Sequence, residues 1–261
     1  MMNLSHTIFP VIEVPAVGIP TTDNKEIDNP GYKFIVRKDT NDILSFVTEE
    51  YRLVPNKSII ESATPTLKEV GAILTEAQSF GNGSRTSWTW KIPNIKVKIG
   101  PKDYVNPTIT LRNSYDGTVQ LHILAGAFRL VCSNGLVIGM TISKKVNKHS
   151  IYNVDLDKIE DTIKDTVYTV KDVFNRDFPV LTETKVNPKH VAGLIKMFPD
   201  FTMESMTQYL MAHKPKTYWD LLNTATYIAT HHMRRNYETT HKLESSIYPT
   251  VSKWAKSQAQ A

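Results

Sequence analysis

The residues of this chain best suited to chemistry are cations gathered in one segment. From Arg85 to Lys148 there are ten Lys or Arg residues and two Asp, a local excess of eight positive charges. Residues 1–84 carry an excess of four negative charges and residues 149–261 an excess of one positive charge. A segment of one sign repels itself unless an anion offsets it, so a polyanion such as nucleic acid is the expected partner. A basic face that serves only solubility is the alternative interpretation.

Aromatic residues interleave with these cations. Bases of a single strand stack on exposed rings while Lys and Arg contact the phosphates. Tyr104 and Tyr115 fall in loop-like contexts and are predicted to stack, whereas Trp88 and Trp90 share one face of a predicted strand and are predicted to fill the core. The predicted nucleic-acid-binding residues are Lys91, Lys96, Lys98, Lys102, Tyr104, Arg112, Tyr115, Arg129, Lys144 and Lys145.

Sequence motifs of the common enzyme classes are missing from the chain. It has no P-loop motif, no glycine-rich dinucleotide motif, no nucleophile elbow and no zinc-protease motif. The single cysteine, Cys132, excludes an internal disulfide and a multi-cysteine zinc site, and it follows apolar residues typical of a buried strand. His231, His232 and His241 lack a carboxylate or cysteine at a companion spacing. We therefore predict no catalytic residue, no metal and no cofactor.

Strands are predicted to position the basic segment. Trp88–Ile92, Ile95–Ile99 and Thr108–Arg112 alternate apolar and polar side chains with a period of two, which places one set on a core and the other on the opposite face. Shorter alternating runs follow at residues 119–123 and 128–130. If these strands pair as an antiparallel meander, one basic face or its rims would carry Lys91, Lys96, Lys98, Arg112, Gln120, His122 and Arg129.

Before the basic segment, the sequence predicts an extended arm, a hairpin and a helix. Prolines spaced through residues 1–30 prevent a helix there. Residues 32–36 and 43–47 are rich in β-formers and flank a turn composition, which predicts a hairpin. Apolar residues from Ile59 to Leu74 recur at helical spacing, although Pro65 is expected to kink or split this helix.

After Lys148 the pattern is helical. A first helix is capped by Asp155 or Asp157, and others are predicted at about residues 188–198, 203–212, 218–233 and 237–256. The predicted fold class is therefore α+β, with a basic antiparallel meander, an N-terminal hairpin and helix, and a helical C-terminal region. The predicted domains are an arm at 1–30, an α+β core at 31–150 and a helical region at 151–261 that packs on the core or on neighbouring subunits.

The chain is expected to be cytoplasmic and to form a homo-oligomer. No run approaches the roughly 18 apolar residues of a membrane span, and the first residues do not resemble a signal peptide. The proline-rich arm and the C-terminal helices are the segments we expect to contact other subunits.

Two blocks in the basic segment carry a family resemblance. Leu111–Thr118 (LRNSYDGT) and Phe128–Leu136 (FRLVCSNGL) resemble the phage/plasmid-like proteins known as domain of unknown function 932, and Tyr51–Asn56 and Trp219–Thr226 are similar to further blocks of that family. The resemblance covers roughly residues 32–233. It implies a mobile-element or bacteriophage origin, and therefore a host-cell cytoplasm, but no function.

The family's polar positions map onto Asn113, Ser114, Asp116, Arg129 and Asn134. Whether this cluster is catalytic or turn-forming stays open, because Asp116-Gly117 and Asn134-Gly135 also have the composition of tight turns, and one carboxylate is too few for two-metal chemistry. The order of hairpin, helix and meander also resembles ring-forming single-strand annealing proteins of the Rad52 and RecT type.

Three functions follow from these observations. The leading hypothesis is a phage-type protein that binds single-stranded DNA in recombination, annealing or replication. The second is a nucleic-acid-processing enzyme that uses Asp116, Arg129 and His122. The third is a phage interaction protein that inhibits a host defence factor, with the basic face meeting an acidic protein.

Overall fold

The computed structural model describes residues 4–17, 31–100, 103–118, 121–129, 135–136, 157–231 and 237–260. These residues form two antiparallel sheets and six α-helices, so the predicted α+β class is confirmed. The chain divides into two units that alternate along the sequence. Unit 1 comprises Met1–Trp90, Thr110–Ile123 and Ser143–Asp165, and unit 2 comprises Lys91–Ile109, Leu124–Ile142 and Thr166–Ala261.

Unit 1 contains a three-stranded sheet in the order β1 (Val11–Pro15), β2 (Tyr32–Arg37) and β3 (Ile43–Thr48). β2 and β3 form the predicted hairpin, and Asn41 in its turn has a φ of 61°. β1 belongs to the predicted extended arm and pairs antiparallel with β2. One face of this sheet contributes Ile35 to a core with Phe9, Leu44, Tyr51 and Tyr115.

The helix α1 (Asn56–Glu69) is shorter than the sequence predicts. Ile59, Ala63 and Leu67 form its buried stripe as expected. Of the two effects predicted for Pro65, a kink or a split, the split does not occur, because the helix runs through Pro65. The prediction that the helix continues to Leu74 is wrong, because Gly71 adopts a φ of 70°. A left-handed residue ends a helix, and the following residues form strand β4 (Ile73–Phe80).

The second sheet contains β4, β5 (Arg85–Lys91), β6 (Val97–Gly100), β7 (Asp103–Ser114), β8 (His122–Arg129) and β9 (Gly135–Leu136). The strand order is β4-β5-β7-β8-β9, and β6 pairs with β7 outside this path. The predicted antiparallel sheet is thus confirmed, with β5 beside β7 and with β6 paired to β7. Trp88 and Trp90 are buried, which confirms their prediction as core residues.

Five helices follow: α2 (Asp157–Glu183), α3 (Pro188–Ile195), α4 (Asp200–His213), α5 (Tyr218–His231) and α6 (Tyr237–Ala259). All five were predicted, with ends that differ by a few residues except at α2, which is longer than its predicted stripe. In unit 2 these helices enclose an apolar core in which Phe178 lies 4.4 Å from Phe174 and 5.1 Å from Trp219, measured between ring centroids. Among the described helices, none combines the length and apolar character required to cross a membrane.

Candidate nucleic-acid interface

The hairpin of β6 and β7 in unit 2 presents cations beside an aromatic ring. In this antiparallel pair Val97 is opposite Val105 and Lys98 is opposite Tyr104. Val105 is fully buried in the core of unit 2, so Tyr104, one residue earlier, projects from the other side of the strand. Directly opposed residues have Cβ atoms roughly 5 Å apart on one face. Lys98 and Tyr104 therefore form a cross-strand pair, with Lys98 exposed and Tyr104 half-buried.

Asn106 holds the chain that leads into this hairpin. Its Nδ2 donates to the carbonyl oxygens of Ile95, at 2.8 Å, and Pro93, at 3.3 Å. The backbone nitrogen of the buried Ile92 donates to the carbonyl of Pro107 at 2.9 Å. These bonds fix the segment before β6 against β7, so that the exposed Lys96 is carried on ordered backbone.

The other predicted cations have different positions. Lys91 ends β5 and is half-buried, and Arg129 ends β8 in the same unit. Lys102, in the connection between β6 and β7, lies outside the described residues, as do Lys144 and Lys145. The structure thus brings together Lys96, Lys98 and Tyr104 from the predicted set.

Arg112 is not on a surface that can meet phosphates. It is only 7% exposed, and its neighbours on β7 are buried on both sides of the strand. The predicted basic face fails here because β7 lies between β5 and β8 in the sheet, and a central strand covered on both faces buries its polar positions too. Burial, followed by the nearby charge of Arg112, lowers the pKa of His122.

The prediction that Tyr115 stacks on bases is also wrong. Its ring is 1% exposed, and its hydroxyl accepts a hydrogen bond of 2.8 Å from the backbone nitrogen of Asn56. Its carbonyl accepts from Ser45 Oγ at 2.6 Å. Burial raises the pKa of the Tyr115 hydroxyl, which accepts a structural hydrogen bond inside unit 1.

The polar cluster that was open to a catalytic interpretation has structural roles where it is described. Asn113 Nδ2 donates to Asn56 Oδ1 at 2.8 Å, and both residues are buried. Asp116 Oδ1 accepts from the backbone nitrogen of Thr118 at 3.0 Å, next to Gly117 with a φ of 71°. This is the geometry of an Asx turn. Asp116 Oδ2 also lies 3.5 Å from Arg85 Nε, which forms an ion pair.

The other members of that cluster add no evidence for a catalytic site. Arg129 belongs to unit 2, and Asn134 lies outside the described residues, together with Cys132, Gln120 and His232. Among the described side chains, no group of three His, Cys, Asp or Glu residues is placed to hold a metal ion.

The blocks that carry the family resemblance meet in a buried hydrogen-bond network. Asn56, which ends the block Tyr51–Asn56, bonds to Asn113 and Tyr115 of the block Leu111–Thr118. Its Nδ2 also donates to the carbonyl of Thr7 at 2.8 Å. Thr7 Oγ1 in turn accepts from Trp88 Nε1 at 3.0 Å. A fully paired polar network of this kind specifies one packing of unit 1.

A charged cluster between α2 and α6 was not singled out in the sequence. The carboxylate of Asp177, which is 4% exposed, accepts from Arg176 Nε at 2.8 Å and Lys256 Nζ at 2.9 Å, and from the Tyr248 hydroxyl at 2.8 Å. Burial by itself raises the pKa of Asp177, but these donors together bring it below its usual value. The sequence does contain a signal for this cluster, because Asp177 is a carboxylate on the apolar stripe of α2, between Phe174 and Leu181. Its oxygens are occupied by partners of the same chain, which indicates a structural role.

The sequence profile described as Domain of unknown function (DUF932) matches residues 43–248, which are 206 of the 261 residues. The chain belongs to this family. No curated protein matches the chain in a sequence search. No solved structure matches it either. The DUF932 match includes both halves of the Asn56–Asn113 pair and all of the β6–β7 hairpin, so the buried network and the candidate interface both lie within the family domain.

Proposed function

We propose that this protein binds single-stranded nucleic acid through the β6–β7 hairpin. Lys96 and Lys98 contact phosphates, and Tyr104 stacks on a base. The observation that carries the proposal is the cross-strand pair of an exposed Lys98 and a half-buried Tyr104, with the exposed Lys96 next to it. Stacking on an aromatic ring beside a cation that meets the phosphate is how single strands are held without sequence preference.

The charge of this part of the chain supports the proposal. Between Lys91 and Tyr104 the sequence has four lysines and one aspartate. A sugar-phosphate backbone that neutralises such a cluster releases counterions, which gives binding that weakens steeply with salt. Recombination, strand annealing and replication, in the cytoplasm of a bacterial host, are the processes in which we expect such binding to act.

The first test is fluorescence anisotropy of labelled single-stranded and double-stranded oligonucleotides at several salt concentrations. We expect single strands to bind more tightly than duplexes, and the double variant Lys96→Glu/Lys98→Glu to raise the Kd by at least about tenfold. Loss of two phosphate contacts should also reduce the slope of log K against log salt by about 1.4 for a single strand.

The matched control is Lys171→Glu/Lys189→Glu, which makes the same change of charge at two exposed lysines on helices of unit 2. It should leave the slope unchanged. If both double variants weaken binding equally, only the net charge matters and the hairpin is not the site. If the wild type does not bind at low salt, the basic hairpin serves another partner, such as the acidic host protein of the third hypothesis.

A further inference from the structure

The three-stranded sheet of unit 1 has an apolar face that is exposed. Cross-strand pairs place Ile12 opposite Val36, Val14 opposite Phe34, and Phe34 opposite Phe46. The most exposed members are Ile43 at 64% and Phe46 at 55%. We use the term apolar face for the side chains of Ile12, Val14, Tyr32, Phe34, Val36, Ile43 and Phe46.

The other face of the same sheet is already covered. Ile35 is fully buried, and Ser45, its cross-strand neighbour, donates to the carbonyl of Tyr115. Since side chains alternate along each strand, the covered side of β2 carries Ile35 between Lys33 and Arg37, whereas the opposite side carries Tyr32, Phe34 and Val36. The exposed side of β2 is therefore the more apolar of the two.

Aromatic rings form a continuous row on the apolar face. The Phe46 ring lies 4.9 Å from that of Tyr32 and 5.0 Å from that of Phe34, measured between centroids. These ring contacts already restrict the rotamers of Tyr32, Phe34 and Phe46. The packing of a partner on the row therefore costs little further side-chain entropy in these three residues.

The charges around the face disfavour nucleic acid as its partner. Residues 4–17 and 31–50 contain five acids and three bases. Two of these bases are engaged in ion pairs, Lys33 with Glu13 at 3.0 Å and Arg37 with Asp39 at 2.7 Å. A phosphate backbone on this sheet would therefore meet an excess of negative charge.

We propose that a second copy of this chain covers the apolar face, with the two sheets packed face to face in a symmetric dimer. The face itself contains no charged residue, so the contact between two copies buries no charge. Its exposed area is on the order of 500 Å² per copy, from typical areas of aromatic and aliphatic side chains. Two copies would bury about 1,000 Å², which is at the lower bound for a biological interface and is typical of a dimer that dissociates on dilution.

Sedimentation velocity of the nuclease-treated full chain tests this proposal, which does not depend on nucleic-acid binding. We expect the wild type to dimerise with rising concentration and equally well at high salt, because the contact is apolar. Phe46→Lys and, separately, Ile43→Lys should each raise the dimer Kd by about 30-fold or more. Both side chains are more than half exposed, so neither substitution buries a charge within the monomer.

Met211→Lys is the control, because Met211 is 69% exposed on α4 and lies off the face. It should dimerise as the wild type does. A monomeric wild type overturns the proposal, as does a dimer that Phe46→Lys and Ile43→Lys leave intact or that Met211→Lys weakens equally. Association that disappears after nuclease treatment is bridged by nucleic acid and also overturns the proposal. A monomer destabilised by Phe46→Lys would mean that the chain covers its own face.

Discussion

At the scale of single residues, substitutions of Tyr104 distinguish binding by base stacking from binding by charge attraction alone. Truncation to Ala removes the ring but no charge, so affinity for a single strand should fall by about 5- to 100-fold while the salt slope stays unchanged. Tyr104→Phe should retain most of the affinity. Anisotropy titrations of both variants measure this, and Tyr168→Ala, which removes a ring that is 76% exposed on α2, is the control. Equal losses for Tyr104→Ala and Tyr168→Ala would contradict stacking at the hairpin.

Asp177 gives a prediction for stability and its dependence on pH. Asp177→Asn should lower the free energy of unfolding at pH 7 by about 1 to 3 kcal/mol, since it weakens hydrogen bonds that the charged Lys256 and Arg176 make. The pKa of Asp177 is lower in the folded protein than in the unfolded chain. Its contribution is therefore complete above the unfolded pKa, about 3.9, and is lost as the pH falls through the folded pKa.

Urea unfolding at pH 7 and at pH 3 measures this effect. The difference between the wild type and Asp177→Asn should shrink at the lower pH. Asp172→Asn is the control, because Asp172 also contacts Arg176, at 3.4 Å, but is 72% exposed in its side chain. It should change stability by less than about 0.5 kcal/mol at either pH. A deficit of Asp177→Asn that is the same at both pH values would argue against a charged carboxylate.

Single residues also show why the sequence predicted only part of the candidate site. Lys96 and Lys98 were identified correctly as exposed because charged side chains near a strand end remain in water in most folds. Arg112 and Tyr115 were predicted wrongly because their burial depends on residues distant in sequence: β5 and β8 flank the strand of Arg112, and Asn56 donates to the Tyr115 hydroxyl. Alternation along one strand shows which side chains share a face, but not whether that face is covered.

At the scale of elements, the short 3-10 turn Gly81–Gly83 between β4 and β5 requires glycine where the Phe9 ring packs closely against Gly83. Gly83 has a φ of 108°, and a Cβ at this position would lie 2.4 Å from Phe9 Cζ. Gly83→Ala should therefore lower the free energy of unfolding by about 2 to 4 kcal/mol, from strain in the backbone and overpacking against Phe9.

Gly117→Ala separates these two causes. Gly117 also has a positive φ, of 71°, but no atom lies within 4 Å of the position of its Cβ. It should cost only about 1 to 2 kcal/mol. Urea denaturation of both variants gives the comparison. Equal losses of unfolding free energy in the two variants would mean that the Phe9 ring moves aside at no cost. The close approach of Phe9 to Gly83 would then contribute nothing to stability.

Elements whose signals are local were predicted well. The β2–β3 hairpin has its turn residues between two β-rich runs, and the C-terminal helices have apolar residues at helical spacing. β4 was predicted as helix because Leu67, Val70 and Leu74 continue the spacing of α1. Pairing with β5 and the left-handed Gly71 decide the outcome, and the first of these is a contact that a local pattern does not contain.

At the scale of the whole molecule, the two proposals assign different partners to different units. The basic hairpin belongs to unit 2 and the apolar face to unit 1. The charges of the units agree with this division, since unit 1 has 14 Lys or Arg against 17 Asp or Glu, and unit 2 has 17 against 9. Phe46→Lys should therefore weaken dimerisation without changing the salt slope of nucleic-acid binding, and Lys96→Glu/Lys98→Glu should have the opposite pattern.

The alternation of the units along the chain has a consequence for biosynthesis. Unit 1 includes Ser143–Asp165, so it cannot be completed on the ribosome until Asp165 has emerged. The β1–β3 sheet is fully translated by Thr48. At a synthesis rate of about 5 to 20 residues per second, the side of this sheet that the rest of unit 1 covers, which includes Ile35, stays exposed for several seconds. A nascent chain of this protein therefore exposes apolar side chains on both faces of this sheet early. Binding by a chaperone, or pairing with a neighbouring nascent chain on the same polysome, would cover them.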